Sequence, residues 1–448
     1  MTAPLHLLSR QSTLTRRSFL RWMALGAGGG LLSACGGTTS SPASFATTAP
    51  DAKGTLTVWG WEGTTEGIAA QVGAFNARYP NLTVDIKSMG YDDVHTNLLN
   101  AVVAGTGAPD LCAIDVLKLS KVTAGLTDLS ALAQPFADQF VTPTFSIGSQ
   151  GGRFYGVATD SEPEGLMYRV DLWDKYGIHE DAIATWDDLV EAGDRLASDS
   201  KGEVMLYHLN SDSDYLFQVL ALQQGFAGFY FSTDDKSTVV DDPKMIEAAT
   251  VFKRLWDGKG VQRNPVGGAH EAEVTALLKN GKLACQTVAP AWYPLQLTSE
   301  MPELSGKWRL MRSPAIKAGG PRVGYAWPTL IVMPQQSPYQ GAAWDLMKMS
   351  LIGDGARALY DATAVLPAYK PLLDEIKDQA DPYFGGQKIN ALWDEIARDT
   401  PPVTFGVGFD EAQQIVGLQL QAILTGVKTP EEGMRAAAAE IRTKLNKS

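Results

Sequence analysis

Residues 55–115 read TLTVWGWEGTTEGIAAQVGAFNARYPNLTVDIKSMGYDDVHTNLLNAVVAGTGAPDLCAID. Thr55-Leu56-Thr57-Val58-Trp59 alternates and is β-branched, which predicts a strand. A loop over Gly60–Gly63 follows. Ile68, Val72 and Phe75 then recur at helical spacing from Thr64 until Pro80 stops the run. Leu82–Ile86 predicts a second strand. Asp92–Ala104 predicts a second helix, with Val94, Leu98, Leu99 and Val102 on one face. After the breaker cluster Gly105-Thr106-Gly107-Ala108-Pro109, Leu111-Cys112-Ala113-Ile114 predicts a short buried strand ending at Asp115. Strand, helix, strand, helix, strand is the pattern of an α/β layer with a mainly parallel sheet. Ligands of such sheets sit beyond the carboxyl ends of the strands. Trp59, Trp61, Glu62 and Asp115 fall at two of those ends, so they are candidate binding residues.

Downstream, Arg153–Ala158 reads as one strand. Thr159–Gly165 reads as a turn dense in carboxylates, Leu166–Arg169 as a strand and Asp171–Tyr176 as a helix. Thr185-Trp186-Asp187-Asp188 has the form of a helix start, with an N-cap hydroxyl and acids in the first turn. Asn210-Ser211-Asp212-Ser213-Asp214 lacks the glycine and distal Glu of a calcium loop and reads as a helix-capping turn.

Composition narrows the function. The chain has 448 residues and a formal net charge of −12, with 45% apolar residues. That length implies more than one domain or lobe. No basic face suited to nucleic acid is visible, and the overall field repels phosphates. There is no G-x-x-x-x-G-K-[ST] segment, so any ATP hydrolysis resides in a partner. No zinc spacing, metal set or cofactor motif is present, and no Ser/His/Asp set can be recognised. Cys112 and Cys285 could pair if the chain is exported, but both lie in apolar runs and read rather as buried thiols.

The N-terminus differs from the rest. Residues 15–35, TRRSFLRWMALGAGGGLLSAC, pair a basic start with a Gly-rich apolar centre too short to span a bilayer, which needs about 20 apolar residues. This layout predicts a signal peptide over 1–34. The Arg16-Arg17 stretch resembles a twin-arginine export motif, and Leu32-Ser33-Ala34-Cys35 resembles a bacterial lipobox. The lipobox resemblance implies a lipid on Cys35 that holds the exported chain at the outer face of the cell membrane, or on its periplasmic side. Apart from Phe45, residues 35–53 are small, polar or Pro, as a flexible tether requires.

The mature chain resembles the family 1 extracellular solute-binding proteins, of the maltodextrin-binding type. Blocks spread over most of it carry the resemblance. They are Leu56–Trp59, Tyr91–Val94, Ala104–Asp110, Tyr155–Val157 with Asp160, Pro163 and Gly165, Tyr168–Trp173, Asn280–Ala284 with Trp292-Tyr293, Gly324–Trp327, Leu366–Ala368 and Asp381–Gln387. Ala158, Ala289–Trp292 and Gly324-Tyr325 depart from the usual pattern, the last two near the presumed cleft. The resemblance implies a type II periplasmic-binding fold, each lobe a mainly parallel sheet flanked by helices. One lobe would span 54–159 and 327–375, the other 160–326 and 376–448, which places the two thiols in different lobes. It also implies a monomer that is no enzyme, closes on a carbohydrate by hinge bending, and delivers it to ABC permease subunits served by a separate ATPase. Trp292, Tyr325 and Trp327 would join Trp59 and Trp61 as stacking rings. Asp160 and Glu162, on the lobe crossing, would join Glu62 and Asp115 as hydroxyl acceptors. Tyr91 and Phe384 read as structural. The alternatives are a secreted glycoside hydrolase using paired carboxylates, or a receptor of the same fold for a non-sugar solute.

Overall fold

In the computed structural model β1 (Gly54–Gly60) forms where the alternation predicts it. Leu56 and Val58 are fully buried, and Thr57 and Trp59 partly so, on the other face. The helix α1 (Glu66–Arg78), strand β2 (Leu82–Ser88), helix α2 (Tyr91–Ala104) and strand β3 (Leu111–Asp115) follow in the expected order. Leu111, Cys112, Ala113 and Ile114 are all fully buried, because β3 is central and covered on both faces. Burial of such side chains stabilises by ~1.5–3 kcal/mol for each large aliphatic one. The structure describes residues 47–210, 215–264 and 272–448. Arg16, Arg17, Cys35, and residues 211–214 of the expected capping turn, lie outside the described residues.

The large sheet has five strands, ordered β2, β1, β3, Thr329–Val332 and Gly156–Ala158. β1 is parallel to both β2 and β3, and Thr329–Val332 is antiparallel to both of its neighbours. A second sheet places Glu164–Arg169 between Cys285–Pro290 and Trp308–Arg312, antiparallel to each. A parallel pair, Tyr207–Asn210 with Val261–Asn264, packs beside Cys285–Pro290. The α/β class therefore holds, but among the described strands parallel pairing is limited to β2–β1–β3 and this pair, with isolated parallel bridges at Thr185–Ala315 and Met205–Leu283. The reason lies in the chain path. Strands that approach the connection between the sheets must run opposite to strands that leave it, and both kinds are adjacent in each sheet.

That connection corrects the reading of Thr159–Gly165 as a turn. The chain runs extended from Gly156–Ala158 into Glu164–Arg169, flanked by two other passes. The Ser161 N–H donates to Leu366 O (2.9 Å), the Ala326 N–H to Glu162 O (2.8 Å) and the Glu164 N–H to Gly324 O (2.9 Å). Gly324 is required by this closeness, since a Cβ there would lie 2.9 Å from the Glu164 Cβ. The single strand expected over 153–158 also breaks. Arg153–Phe154 pairs with Ser149–Gln150 in a hairpin, and only Gly156–Ala158 joins the large sheet.

Helices Gln340–Leu351 and Asp354–Thr363 pack on α1, while Ile389–Asp399 covers the antiparallel sheet. Thr185 caps Trp186–Asp199 as expected, in a capping box with Asp188. Cys112 and Cys285 are free, buried thiols. No helix among the described residues is long and apolar enough to cross a membrane.

Candidate functional site

The carboxyl end of β1 delivers Trp61. Its N–H donates to the Thr64 hydroxyl (3.1 Å), and that hydroxyl donates back to Trp61 O (2.7 Å), a closed local turn that sets the ring's base. The start of α2 supplies Tyr91 and, one helical turn on, His95. Their rings pack edge-on and tilted against Trp61, with centroids at 5.2 and 5.4 Å. Asp115, at the end of β3, accepts from the Leu117 N–H (2.8 Å) and the Tyr91 hydroxyl (3.0 Å).

His95 completes this wall. The Asp115 backbone N–H can only donate, so His95 Nε2, 2.9 Å away, accepts. Nδ1, 2.7 Å from Tyr91 O, therefore carries the proton. The imidazole is neutral and locked in one tautomer, and burial holds its pKa below the usual histidine range. Burial likewise pushes the Asp115 carboxyl up to about 6, opposed by the Leu117 N–H and the Tyr91 hydroxyl.

The crossing supplies the floor. In an extended chain alternate side chains share a face. Asp160, Glu162 and Glu164 thus form a row, and all three border one cavity of about 610 Å³. Ser161 points the other way, to the Tyr325 hydroxyl (3.4 Å). Asp160 Oδ1 accepts from the Thr159 hydroxyl (2.6 Å) and the Thr329 N–H (3.0 Å). Glu162 is 1% exposed, and its nearest polar partners are the Asp160 carboxyl and the Trp292 backbone N–H. Burial first, then the charges of Asp160 and Glu164, push its carboxyl well above the usual range. Burial alone pushes Glu164 up to about 8.

The far wall comes from the second sheet. Trp292 follows Cys285–Pro290 at the start of helix Tyr293–Glu300. A register shift between Gln286 and Ala289 turns Thr287 and Val288 to the cavity. Gln286 donates from Nε2 to Val288 O (2.9 Å), so its Oε1 must accept the proton on His208 Nε2, 2.7 Å away. The other side of the imidazole faces the Asn210 side chain two residues on, and burial holds the His208 pKa below the usual histidine range. Trp327 is aimed by its indole N–H, which donates to Gln218 Oε1 (3.0 Å), and its ring lies 4.5 Å from that of Tyr215.

Of the nine expected binding residues, Trp61, Glu62, Asp115, Asp160, Glu162, Trp292 and Trp327 border this cavity. Two do not. Trp59 lies within the sheet, in register with Lys87 and Cys112, so it covers a sheet face instead of standing beyond the strand end. Tyr325 is 1% exposed, with its hydroxyl between Thr144 (3.2 Å) and Ser161; the extended crossing turns it away from the side that faces the cavity. Tyr91, read as structural, borders the cavity, while Phe384 is in the core. Glu164 was legible from the i, i+2, i+4 spacing in Asp160-Ser161-Glu162-Pro163-Glu164. His208, Asn210 and Tyr215 carried no local signal. Among the described residues no group of three or more His, Cys, Asp or Glu converges to hold a metal ion.

The arabinooligosaccharide-binding protein of Bacillus subtilis (strain 168) is 25% identical over 404 residues, covering 87% of this chain and 92% of that one. The lactose-binding protein of Rhizobium radiobacter is 22% identical over 404 residues, covering 84% and 90%. The galacto-N-biose-/lacto-N-biose I-binding protein of Bifidobacterium longum, solved with lacto-N-biose, superposes with a TM-score of 0.72 at 20% identity, covering 88% of this chain and 97% of that one. The two-lobed periplasmic-binding fold is thereby shared. The family model for bacterial extracellular solute-binding proteins matches residues 61–351, and the chain belongs to that family.

Proposed function

We propose that the chain is the carbohydrate receptor of an ABC importer. The observation that carries this reading is the cavity itself. At about 610 Å³ it lies within the ~300–1,000 Å³ typical of small-molecule sites. Trp61, Trp292 and Trp327 offer flat apolar faces, and carboxyl and amide groups offer acceptors, the two kinds of surface that a pyranose or furanose presents in reverse. Likeness to receptors for arabinooligosaccharide and lactose supports the same ligand class. The decisive test is a thermal-shift screen with mono- and oligosaccharides. A ligand of the native state raises the melting temperature with concentration, and a flat response to every sugar defeats the reading. Release of reducing ends from a glycan would instead favour the hydrolase alternative.

The hinge belongs to the same proposal. We take the crossings at 159/160 and 326/327 as the lobe limits and put the third near 367. Leu372, Leu373 and Ile376 pack with Phe384 and Trp393, beside the antiparallel sheet, which supports that shift from 375. Export through the Arg16-Arg17 motif, a lipid on Cys35 and a monomeric state complete the reading. Cys35→Ala would release the chain from the membrane fraction if the lipid is its anchor.

A further inference from the structure

Trp61, Tyr91 and Asp115 form one wall of the cavity, and His95 stands behind it. Its ring lies 5.4 Å from Trp61 and 4.5 Å from Tyr91. Both of its nitrogens are committed to backbone groups. Nδ1–H donates to Tyr91 O (2.7 Å), which ties the ring to its own helix. Nε2 accepts from the Asp115 N–H (2.9 Å), which ties α2 to the end of β3. One imidazole thus braces the aromatic face and the backbone of the Asp115 acceptor together. A backbone N–H has no lone pair to offer. A proton on Nε2 would set two donors against each other, and the join between α2 and β3 would have to open.

The charges around this ring are mixed. Asp92 on α2 and Asp410 at the start of helix Phe409–Leu424 draw a proton toward it, and Lys118 after β3 repels one. The Asp115 carboxyl is engaged by the Leu117 N–H and the Tyr91 hydroxyl. From the loop after β1 come Trp61 and Glu62, both on the cavity. Burial outweighs the acids and favours the neutral imidazole. The rings of Trp61 and Tyr91 can face a cation, so the obstacle to a charged ring is the Asp115 N–H and the loss of water. His95 itself is not among the residues that border the cavity.

We propose that His95 is a positioning residue whose neutral Nε2 holds this wall in shape, and that acid opens the wall by protonating it. Trp61 and Asp115 then lose their common brace, and ligand affinity falls as pH falls. The residue acts through Trp61 and Asp115 and not by touching the ligand. Asp115 titrates in the same region, at about 6, so the test separates the two groups.

The test uses magnetic resonance on the full chain without ligand, labelled at the histidine nitrogens and with fluorotryptophan. His95→Gln assigns the histidine signal and Trp61→Phe the tryptophan signal; His95→Asn serves should the Gln variant not fold. At pH 7.5 His95 shows the neutral tautomer with its proton on Nδ1. As pH falls, its protonation moves the Trp61 signal with the same midpoint, below the ordinary histidine value of 6.5. In His95→Gln, whose amide oxygen can accept from the Asp115 N–H, the Trp61 signal stays in place down to pH 4.5. Asp115→Asn keeps the parent's response. Calorimetry with arabinotriose and with lactose adds the affinity. A sugar that binds loses about tenfold in affinity between pH 7.5 and 4.5 in the parent, and less than about twofold in His95→Gln. A His95 protonated on Nε2 at pH 7.5, a Trp61 signal indifferent to pH, or an equal response in His95→Gln overturns the proposal. Failure of both sugars to bind counts against the carbohydrate reading instead, and the magnetic-resonance result still decides the role of His95.

Discussion

The two walls of the cavity differ in how their polar groups are held before any ligand arrives. On the wall built by β1, α2 and β3, the polar groups of Asp115 and His95 have partners, and Trp61 is braced by two further rings. On the crossing and the second sheet, Glu162, Glu164, His208 and Asn210 are buried, and burial raises both Glu carboxyls and lowers the His208 imidazole. The first wall is thus a preformed platform that loses little freedom on binding, whereas the second holds buried ionisable groups whose proton affinities are shifted by desolvation. On the proposed hinge, the second wall would close over a ligand seated on the first.

The largest expected effect breaks the first wall. Trp61→Ala removes the platform and the packing that orients Tyr91 and His95. Ligand affinity by calorimetry should fall about a hundredfold, the equivalent of ~2.7 kcal/mol, with little change in the melting temperature of the free protein. Equal loss of melting temperature would mean that the ring is core rather than platform.

The next prediction concerns the second wall. Glu164 has a raised carboxyl pKa of about 8, so the native state holds a proton there that the unfolded chain has lost above the ordinary Glu value of 4.5. Stability contributed by this group is therefore full below about pH 4.5 and falls as pH rises to about 8. Glu164→Gln should flatten the decline in melting temperature over that window and leave the variant more stable than the parent at pH 8. A parent curve without a decline between pH 5 and 8 would remove the argument for strain on this wall.

A smaller effect tests how the walls are held together. Asp410, buried at the start of helix Phe409–Leu424, accepts from Lys118 (3.1 Å) and Lys121 (2.6 Å) in the segment after β3. By the proposed limits these groups belong to opposite lobes. Asp410→Asn keeps the shape but not the charge. It should weaken ligand binding about fivefold through faster release, a change of ~1 kcal/mol. It should also abolish most of the parent's salt dependence, as measured by dissociation kinetics at two ionic strengths. The smallest effect is that of Tyr91→Phe. Removing one hydroxyl from a carboxyl that keeps its Leu117 N–H partner should cost ~1 kcal/mol or less of binding, and should raise the Asp115 pKa further above 6.

Much of the platform was legible in the residues. Trp61, Glu62 and Asp115 stand directly after strands, so a strand assignment places them. The row on the crossing was half legible. Asp160 and Glu162 stand out as candidate acceptors, but Pro163 and the acids suggest a turn over Thr159–Gly165, which hides the place of Glu164 in the row. The extended conformation is imposed by hydrogen bonds to Gly324, Ala326 and Leu366, more than 150 residues away. The same distant contacts decide that Tyr325 faces Ser161 and Thr144 and not the cavity.

By itself, the sequence determined the βαβαβ order of residues 54–115, the strand-end position of the platform and the class of side chains at the site. These follow from periodicity and from local rules of strand and helix termini. Only the tertiary structure decided which ionisable groups are buried, that His208, Asn210 and Tyr215 meet Trp61 and Asp115 across one cavity, and that Trp59 belongs to a sheet face. Those outcomes depend on strand register and on which passes of the chain are neighbours. Burial and hydrogen-bond satisfaction over the whole molecule settle both, and no short stretch of residues encodes them.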